Sequence, residues 1–177
     1  EHLSGSDLRL AGRGLDFALS RAYASQALHD GPLGRSWDSP LLARLRFLPD
    51  GDVDLYDGTA RRDTFRLAPG GREFVAPPGL FAQLTNAKDG SWYLTHADKT
   101  IQRFDADGRL VEIWDAVSRT AQNGGDGNRL RLLHDAAGRL TAVLDTLDHA
   151  VTFDFFAESD LGSPGATRAA LGRLKKV

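Results

Sequence analysis

The stretch Asp105-Ala-Asp-Gly-Arg-Leu110 decides the fold, because it returns thirty positions later as Asp135-Ala-Ala-Gly-Arg-Leu140. A third Gly-Arg-Leu occupies positions 172–174, close to the end of the sequence. Repetition of this kind indicates supersecondary units that stack on one another, since one unit alone cannot bury its apolar face. The repeat therefore predicts a built surface, and it implies no particular reaction.

Each copy of the repeat has the composition of a β-hairpin turn. The Asp side chain can bond the backbone two residues on, and the Gly can adopt a positive φ in a bulged loop. The Leu that follows each turn is predicted to begin a return strand and to anchor it by packing. The architectural residues predicted in this way are Asp105, Gly108, Leu110, Asp135, Gly138, Leu140, Gly172 and Leu174.

The rest of the sequence also reads as successive hairpins. Apolar and polar residues alternate with period two at 15–20, 44–47 and 129–132, which is typical of half-buried strands. Pro49-Asp-Gly51 and Lys88-Asp-Gly90 supply turns beside such runs. The pattern predicts an all-β fold of consecutive, largely antiparallel hairpins.

Two stretches depart from the hairpin pattern. Positions 157–171 interrupt the third copy and are interpreted as a surface insertion, with one or two helical turns over 166–171 after Pro164. The Gly-rich positions 123–128 are predicted to form the most flexible loop. Neither stretch divides the chain into separate domains.

Length and composition limit the classes of function. With 177 residues, 41% of them hydrophobic and 26% charged, the sequence is typical of one folded domain or a large part of one. A net charge of −2 with scattered basic residues gives no argument for binding nucleic acid. No apolar run approaches the roughly eighteen residues of a membrane span. Because the sequence starts with Glu1 and contains no Met, we expect it to be a piece of a longer protein.

No group of residues predicts a catalytic, metal or cofactor site. Cys is absent, and the five His show no metal-ligand spacing. There is no Gly-x-Ser-x-Gly elbow, dinucleotide loop or phosphate loop. Asp50, Asp52 and Asp54 begin a calcium-loop spacing, but Leu55 and Arg61 replace its Gly and Glu, so we interpret the three as a solvated strand face. We expect no cofactor and no enzymatic activity.

The N-terminal part resembles the domain that opens the repeat region of Rhs proteins. The resemblance is carried by Asp7-Leu-Arg-Leu-Ala-Gly-Arg-Gly14, by positions 21–25 and by Gly31-Pro-Leu-Gly-Arg-Ser-Trp37. From Gly90 onward the sequence is similar to the YD repeats of the same family, although Phe104 and His134 stand where the repeat has Tyr. The family's self-cleavage motif contains Asp-Pro, and that dipeptide does not occur in this chain.

The resemblance implies both an architecture and a function. YD repeats in Rhs proteins, insecticidal toxin complexes and teneurins wind into a hollow β-shell, which in bacterial members encloses a C-terminal toxin. Residues 1–98 would then be the Rhs N-terminal hairpin region. Residues 99–177 would be YD repeats, with copies near 101–115 and 131–145 and an interrupted copy at 151–177. The expected function is encapsulation of an effector before delivery.

The same resemblance implies the partners and the location. The partners would be the remainder of the shell, its C-terminal toxin and proteins of a type VI or related secretion apparatus. Exposed strand edges would add self-association. The protein would reside in a bacterial cytoplasm before export and would then be secreted or injected.

An alternative function is a surface adhesion or glycan-binding module, as the teneurin branch would suggest. That function predicts that Trp37, Trp92 and Trp114 lie together on one exposed face. Aromatic residues beside hairpins more often pack between strands, and we interpret the three indoles in this way. An enzyme is a third alternative, which lacks the required ionisable constellation.

Overall fold

The computed structural model describes residues 1–12, 14–27, 29–116, 128–163 and 166–177. Within these ranges the chain forms antiparallel strands and three-residue 3₁₀ helices, so the predicted all-β fold of consecutive hairpins is confirmed. The strands are β1 (His2–Leu10), β2 (Phe17–Ala24), β3 (Asp30–Gly31), β4 (Gly34–Arg35), β5 (Trp37–Asp38), β6 (Arg44–Phe47), β7 (Val53–Tyr56), β8 (Arg62–Leu67), β9 (Phe74–Val75), β10 (Ala82–Asn86), β11 (Trp92–His96), β12 (Ile101–Phe104), β13 (Leu110–Trp114), β14 (Arg129–His134), β15 (Leu140–Leu144), β16 (Ala150–Thr152), β17 (Asp154–Phe155) and β18 (Leu174–Lys176). The 3₁₀ helices are Pro40–Leu42, Glu158–Asp160 and Arg168–Ala170.

Strand order in the sheets follows chain order almost everywhere. The sheets are β1-β2-β5, β6-β7-β8-β9 and a seven-stranded meander from β10 to β16, with β3-β4 and β17-β18 as two-stranded ribbons. No closed barrel is formed by the described strands. The predicted division after residue 98 falls between β11 and β12, within the meander, so it marks a change of sequence pattern inside one sheet.

One apolar core joins the three larger sheets. Phe17 of the first sheet, Phe65 of the second and Leu94, Phe104 and Leu132 of the meander belong to the same buried cluster. Phe65, Leu94 and Phe104 are fully buried. Period-two alternation puts such side chains on one face of each strand, which is why the sheets close over a common interior.

One type of hairpin turn recurs along the chain. Each of these turns has five residues. The amide of the fourth residue donates to the carbonyl of the first, and the amide of the first residue donates to the carbonyl of the fifth. The turns with this pair of bonds are 48–52, 87–91, 96–100, 105–109, 135–139 and 145–149. The fourth residue always has a positive φ, and it is Lys99 or Asp148 in two turns and Gly in the others. Those two turns escape a sequence search that relies on Gly.

The interpretation of the acidic run as a solvated face is wrong for Asp54. This residue is only 2% exposed, and its carboxylate accepts a hydrogen bond of 2.6 Å from the Thr64 hydroxyl. Arg62 lies 4.0 Å away. Asp54 belongs to β7, which lies between β6 and β8, so side chains of the neighbouring strand cover it.

The irregular stretches are only partly described. The helical turns predicted over 166–171 correspond to one 3₁₀ turn at Arg168–Ala170. Pro164, with which that prediction began, lies outside the described residues, as does the predicted flexible loop apart from Asn128.

Candidate functional site

The aspartate side chain of each repeat turn accepts hydrogen bonds from backbone amides of the same turn. The Asp105 carboxylate accepts hydrogen bonds from the amides of Asp107 (3.0 Å) and Arg109 (2.8 Å). The Asp135 carboxylate makes the equivalent bonds to the amides of Ala137 and Arg139, both at 2.9 Å. The backbone bond from Arg139 is the main reason why the pKa of Asp135 lies below its usual value. Both carboxylates therefore stabilise the turns in which they lie.

The first repeat turn docks against the N-terminal half of the chain. Gly108 has a φ of +81° and is buried, and its carbonyl accepts a hydrogen bond of 2.8 Å from the Leu45 amide. A Cβ at Gly108 would lie 2.4 Å from the Leu45 carbonyl oxygen. An isolated antiparallel bridge pairs Arg44 with Arg109 beside this contact. The turn therefore joins the meander to β6, and the approach leaves no room for a side chain.

Arginines link each repeat turn to the next copy. Arg109 pairs with Asp107 at 2.8 Å and lies against the following turn, where a Cβ at Gly138 would be 2.9 Å from its Nε. Arg139 pairs with its own Asp135 at 2.7 Å, and its guanidinium carbon lies 5.5 Å from the centre of the Phe155 ring in the third copy. We call this chain of contacts from 105–109 through 135–139 to Phe155 the turn row.

The third copy keeps the turn's hydrogen bonds although residues 157–171 interrupt it. The Phe156 amide donates to the Arg173 carbonyl, and the Gly172 amide donates to the Phe156 carbonyl, both at 2.9 Å. Phe156 therefore stands where Asp105 and Asp135 stand in the other copies, and the insertion replaces the two central turn residues. Gly172 has the same backbone conformation as the other repeat glycines, with a φ of +76°.

The third copy also docks on the N-terminal region. Arg173 pairs with Asp30 at 2.6 Å, and the Leu174 amide donates a hydrogen bond of 2.8 Å to the Pro32 carbonyl. Leu174 is half-buried against the core, whereas Leu110 and Leu140 of the earlier copies are fully buried in it. The first and third copies thus both contact the N-terminal sheets.

His134 occupies the aromatic position of the second copy and contributes to the junction between copies. The ring is half-buried, and Asp105, Arg109 and Asp135 are the charged groups that act on it. Burial is the main reason why the pKa of His134 lies below its usual value. The ring is therefore neutral at pH 7, and it fills the position that Phe104 fills in the first copy.

The three tryptophans are half-buried and contact different aromatic partners. Trp37 packs on Tyr23 with ring centres 5.3 Å apart, and Trp114 packs on Tyr93 at 6.0 Å. Trp92 contacts Phe47 at 5.0 Å and Phe74 at 5.3 Å, which joins the meander to the four-stranded sheet. Each indole is used in packing between strands.

Neither a metal-binding cluster nor a membrane-spanning helix occurs among the described residues. Among the residues that the structure describes, no three His, Asp or Glu side chains gather closely enough to hold a metal ion. In the same ranges no helix has the length and apolar character needed to cross a membrane.

The comparison with known families matches the N-terminal third of the chain. Residues 1–65 match the family described as "Domain of unknown function (DUF6531)". The match includes Pro32 and Leu45, which receive the third and first repeat turns, and it ends within β8. No curated protein matches the chain.

Proposed function

We propose that this chain is a segment of the wall of an Rhs/YD-repeat shell that encloses a toxic effector before delivery. The observation that carries the proposal is the turn row, in which Arg109 contacts the Gly138 turn and Arg139 contacts Phe155. Each copy uses a residue of the next copy to complete its packing. Such a unit extends by addition of further units through the same interface, as in other repeat proteins.

The family comparison supports the same proposal. The DUF6531 family is often found in YD-repeat and Rhs-type proteins, and it matches the segment that receives the repeat turns. In this chain the matched segment comes first and the repeat turns follow it. The resemblance to Rhs proteins implies the same order.

The outer strands of the meander support the proposal that further shell packs against this segment. Its outer strands are β10 and β16, and exposed apolar side chains lie next to both of them. Phe81, which precedes β10, is 80% exposed, and Leu147, in the turn before β16, is 53% exposed. Exposed apolar residues beside strand edges mark surfaces that further chain or a partner covers. The partners proposed are the remaining shell, its cargo and the delivery apparatus of a bacterial cell.

The test is to express the whole reading frame that contains this segment and to image the purified product by electron microscopy. We expect further repeats after residue 177, a hollow particle, and a C-terminal portion that resists protease until the particle is opened. The control is the same C-terminal portion expressed alone, which protease should digest quickly. A reading frame without further repeats, or a C-terminal portion cleaved equally fast in both samples, would refute the proposal.

A further inference from the structure

A cavity of about 900 Å³, lined by both charged and apolar residues, lies between residues 26–27 and 29–38 and the face of the four-stranded sheet that carries Arg44. Alternation along β6 places Arg44 and Arg46 on that face and Leu45 in the core. The strand register puts Tyr56 beside Arg44 and Arg62 beside Tyr56. The cavity floor therefore carries three guanidinium groups, and its size is that of a small-molecule site.

The centre of the cavity is fixed by an ion pair between the half-buried Arg44 and the buried Asp38. Arg44 donates to the Asp38 carboxylate at 3.1 Å, and Asp38 is only 5% exposed and also accepts from the Ser39 amide at 2.9 Å. The Arg44 guanidinium carbon lies 4.7 Å from the centre of the Tyr56 ring. A side chain held by a buried partner and a stacked ring loses little freedom when a ligand binds beside it.

His29 completes this centre as a neutral ring. Its Nδ1 lies 3.4 Å from an Arg44 nitrogen, and because Arg44 can only donate, Nδ1 is the acceptor and Nε2 carries the hydrogen. Burial and then the positive charge of Arg44 hold the pKa of His29 below its usual value. His29 therefore adds no charge to the cavity at pH 7.

Backbone strain is concentrated at the same cavity. Ser36 and Ala60 both line it with φ of +65°, and they are two of the four non-glycine residues with positive φ in the described chain. Ser36 is held there by hydrogen bonds of 2.7 Å from its amide to the His29 carbonyl and from its hydroxyl to the Ala27 carbonyl. Strain of this kind gathers at ligand sites, where the surrounding structure over-determines the backbone.

The charges that line the cavity are unbalanced. Arg44, Arg46 and Arg62 face two carboxylates, because Asp38 lines the cavity and Asp54 lies opposite Arg46 on the neighbouring strand, so the arginines are in excess by one. Arg44 is matched by Asp38, whereas Arg46 is exposed and forms no ion pair with any described residue. Arg62 is 60% exposed and reaches its nearest carboxylate, that of Asp54, only at 4.0 Å. Two guanidinium groups are thus available to an incoming anion.

We propose that this cavity binds a ligand with two carboxylate groups, which pair with Arg46 and Arg62 while Arg44 remains bound to Asp38. The planar guanidinium matches a carboxylate with two parallel hydrogen bonds, and a dicarboxylate offers one carboxylate to each of these two arginines. Both a free dicarboxylic acid and an acidic peptide supply this chemistry. The proposal is independent of the shell, because it rests on residues outside the turn row.

The test is calorimetric titration of the protein at constant ionic strength. The probes are glutarate, a blocked Glu-Glu dipeptide, neutral glutaramide and inorganic phosphate. We expect saturable binding of the first two and none of glutaramide, and the tighter of the two carboxylate probes identifies the source. Phosphate that binds as tightly as the carboxylates would overturn the choice of ligand.

Variants show whether binding occurs in this cavity. Arg46→Gln should weaken carboxylate binding by about tenfold, since a hydrogen bond to a charged group contributes on the order of 1.5 kcal/mol. Arg66→Gln is the matched control, because Arg66 is an exposed arginine on β8 that does not line the cavity. Arg62→Gln repeats the test from a second strand. No saturable heat, or equal weakening by Arg46→Gln and Arg66→Gln, would overturn the proposal.

Discussion

Replacing each repeat glycine by alanine distinguishes two costs in unfolding free energy. One is the backbone strain of the turn, and the other is the loss of the contact that the turn makes with the rest of the protein. Gly108, Gly138 and Gly172 have φ values of +81°, +77° and +76°, so each alanine variant suffers nearly the same conformational strain. That strain is about 1 kcal/mol for an L-residue in the left-handed region. What differs among the three positions is the atom that a new Cβ would meet.

The expected losses of unfolding free energy follow from those contacts. At Gly172 a Cβ meets nothing within 4 Å, so Gly172→Ala should cost about 1 kcal/mol. At Gly138 it meets the Arg109 side chain at 2.9 Å, which can move, so the cost should be about 1 to 1.5 kcal/mol. At Gly108 it would lie 2.4 Å from the Leu45 backbone oxygen, and the turn must leave β6 and lose a buried hydrogen bond. Gly108→Ala should therefore cost about 2 to 4 kcal/mol.

The assay is urea denaturation, with free energies compared through transition midpoints at a common slope. Gly5→Ala is the matched control, because Gly5 lies in β1 without positive φ and with nothing within 4 Å of the added atom, and its effect should stay within about 0.5 kcal/mol. Gly138→Val should exceed about 1 kcal/mol, since a β-branched residue resists positive φ. Equal losses for the three alanine variants would refute the docking of the first turn on β6.

Three further outcomes are expected. Lys99→Gly should stabilise the protein by up to about 1 kcal/mol, because Lys99 holds a φ of +73° that glycine adopts without strain; a lower urea midpoint would contradict this. His134→Phe should reduce the dependence of stability on pH. Burial lowers the folded-state pKa of His134, so the unfolded chain binds the proton first and stability falls as pH drops below about 6.5. Denaturation midpoints measured between pH 7 and 5 would show a shallower slope in the variant, with a remainder from His29, whose pKa is also lowered by burial; an unchanged slope would count against the buried ring. Finally, Arg139→Ala and Phe155→Ala should be coupled by about 0.5 to 1 kcal/mol in a double-mutant cycle, as a partly exposed cation–π contact predicts. If the losses of unfolding free energy in the two single variants simply add in the double variant, Arg139 and Phe155 do not stabilise each other and the turn row does not include this contact.

The sequence by itself determined the fold class and the local form of the turns. Alternation with period two requires only neighbouring residues, and an Asp with a Gly three positions later encodes a turn within five residues. For this reason Asp105 and Asp135 could be interpreted as turn residues, and the structure places their carboxylates on the turn amides. The turns with Lys99 and Asp148 were missed because backbone pairing imposes positive φ there without the usual glycine.

The tertiary structure alone decided how the turns are used. The docking of Gly108 on Leu45 joins residues far apart in sequence, and the burial of Asp54 depends on the strand beside it. The cavity around Arg44 likewise requires β6 and the preceding loop to meet. Local composition does not encode such contacts, because their free energy comes from surfaces that exist only after the sheets close over a common core.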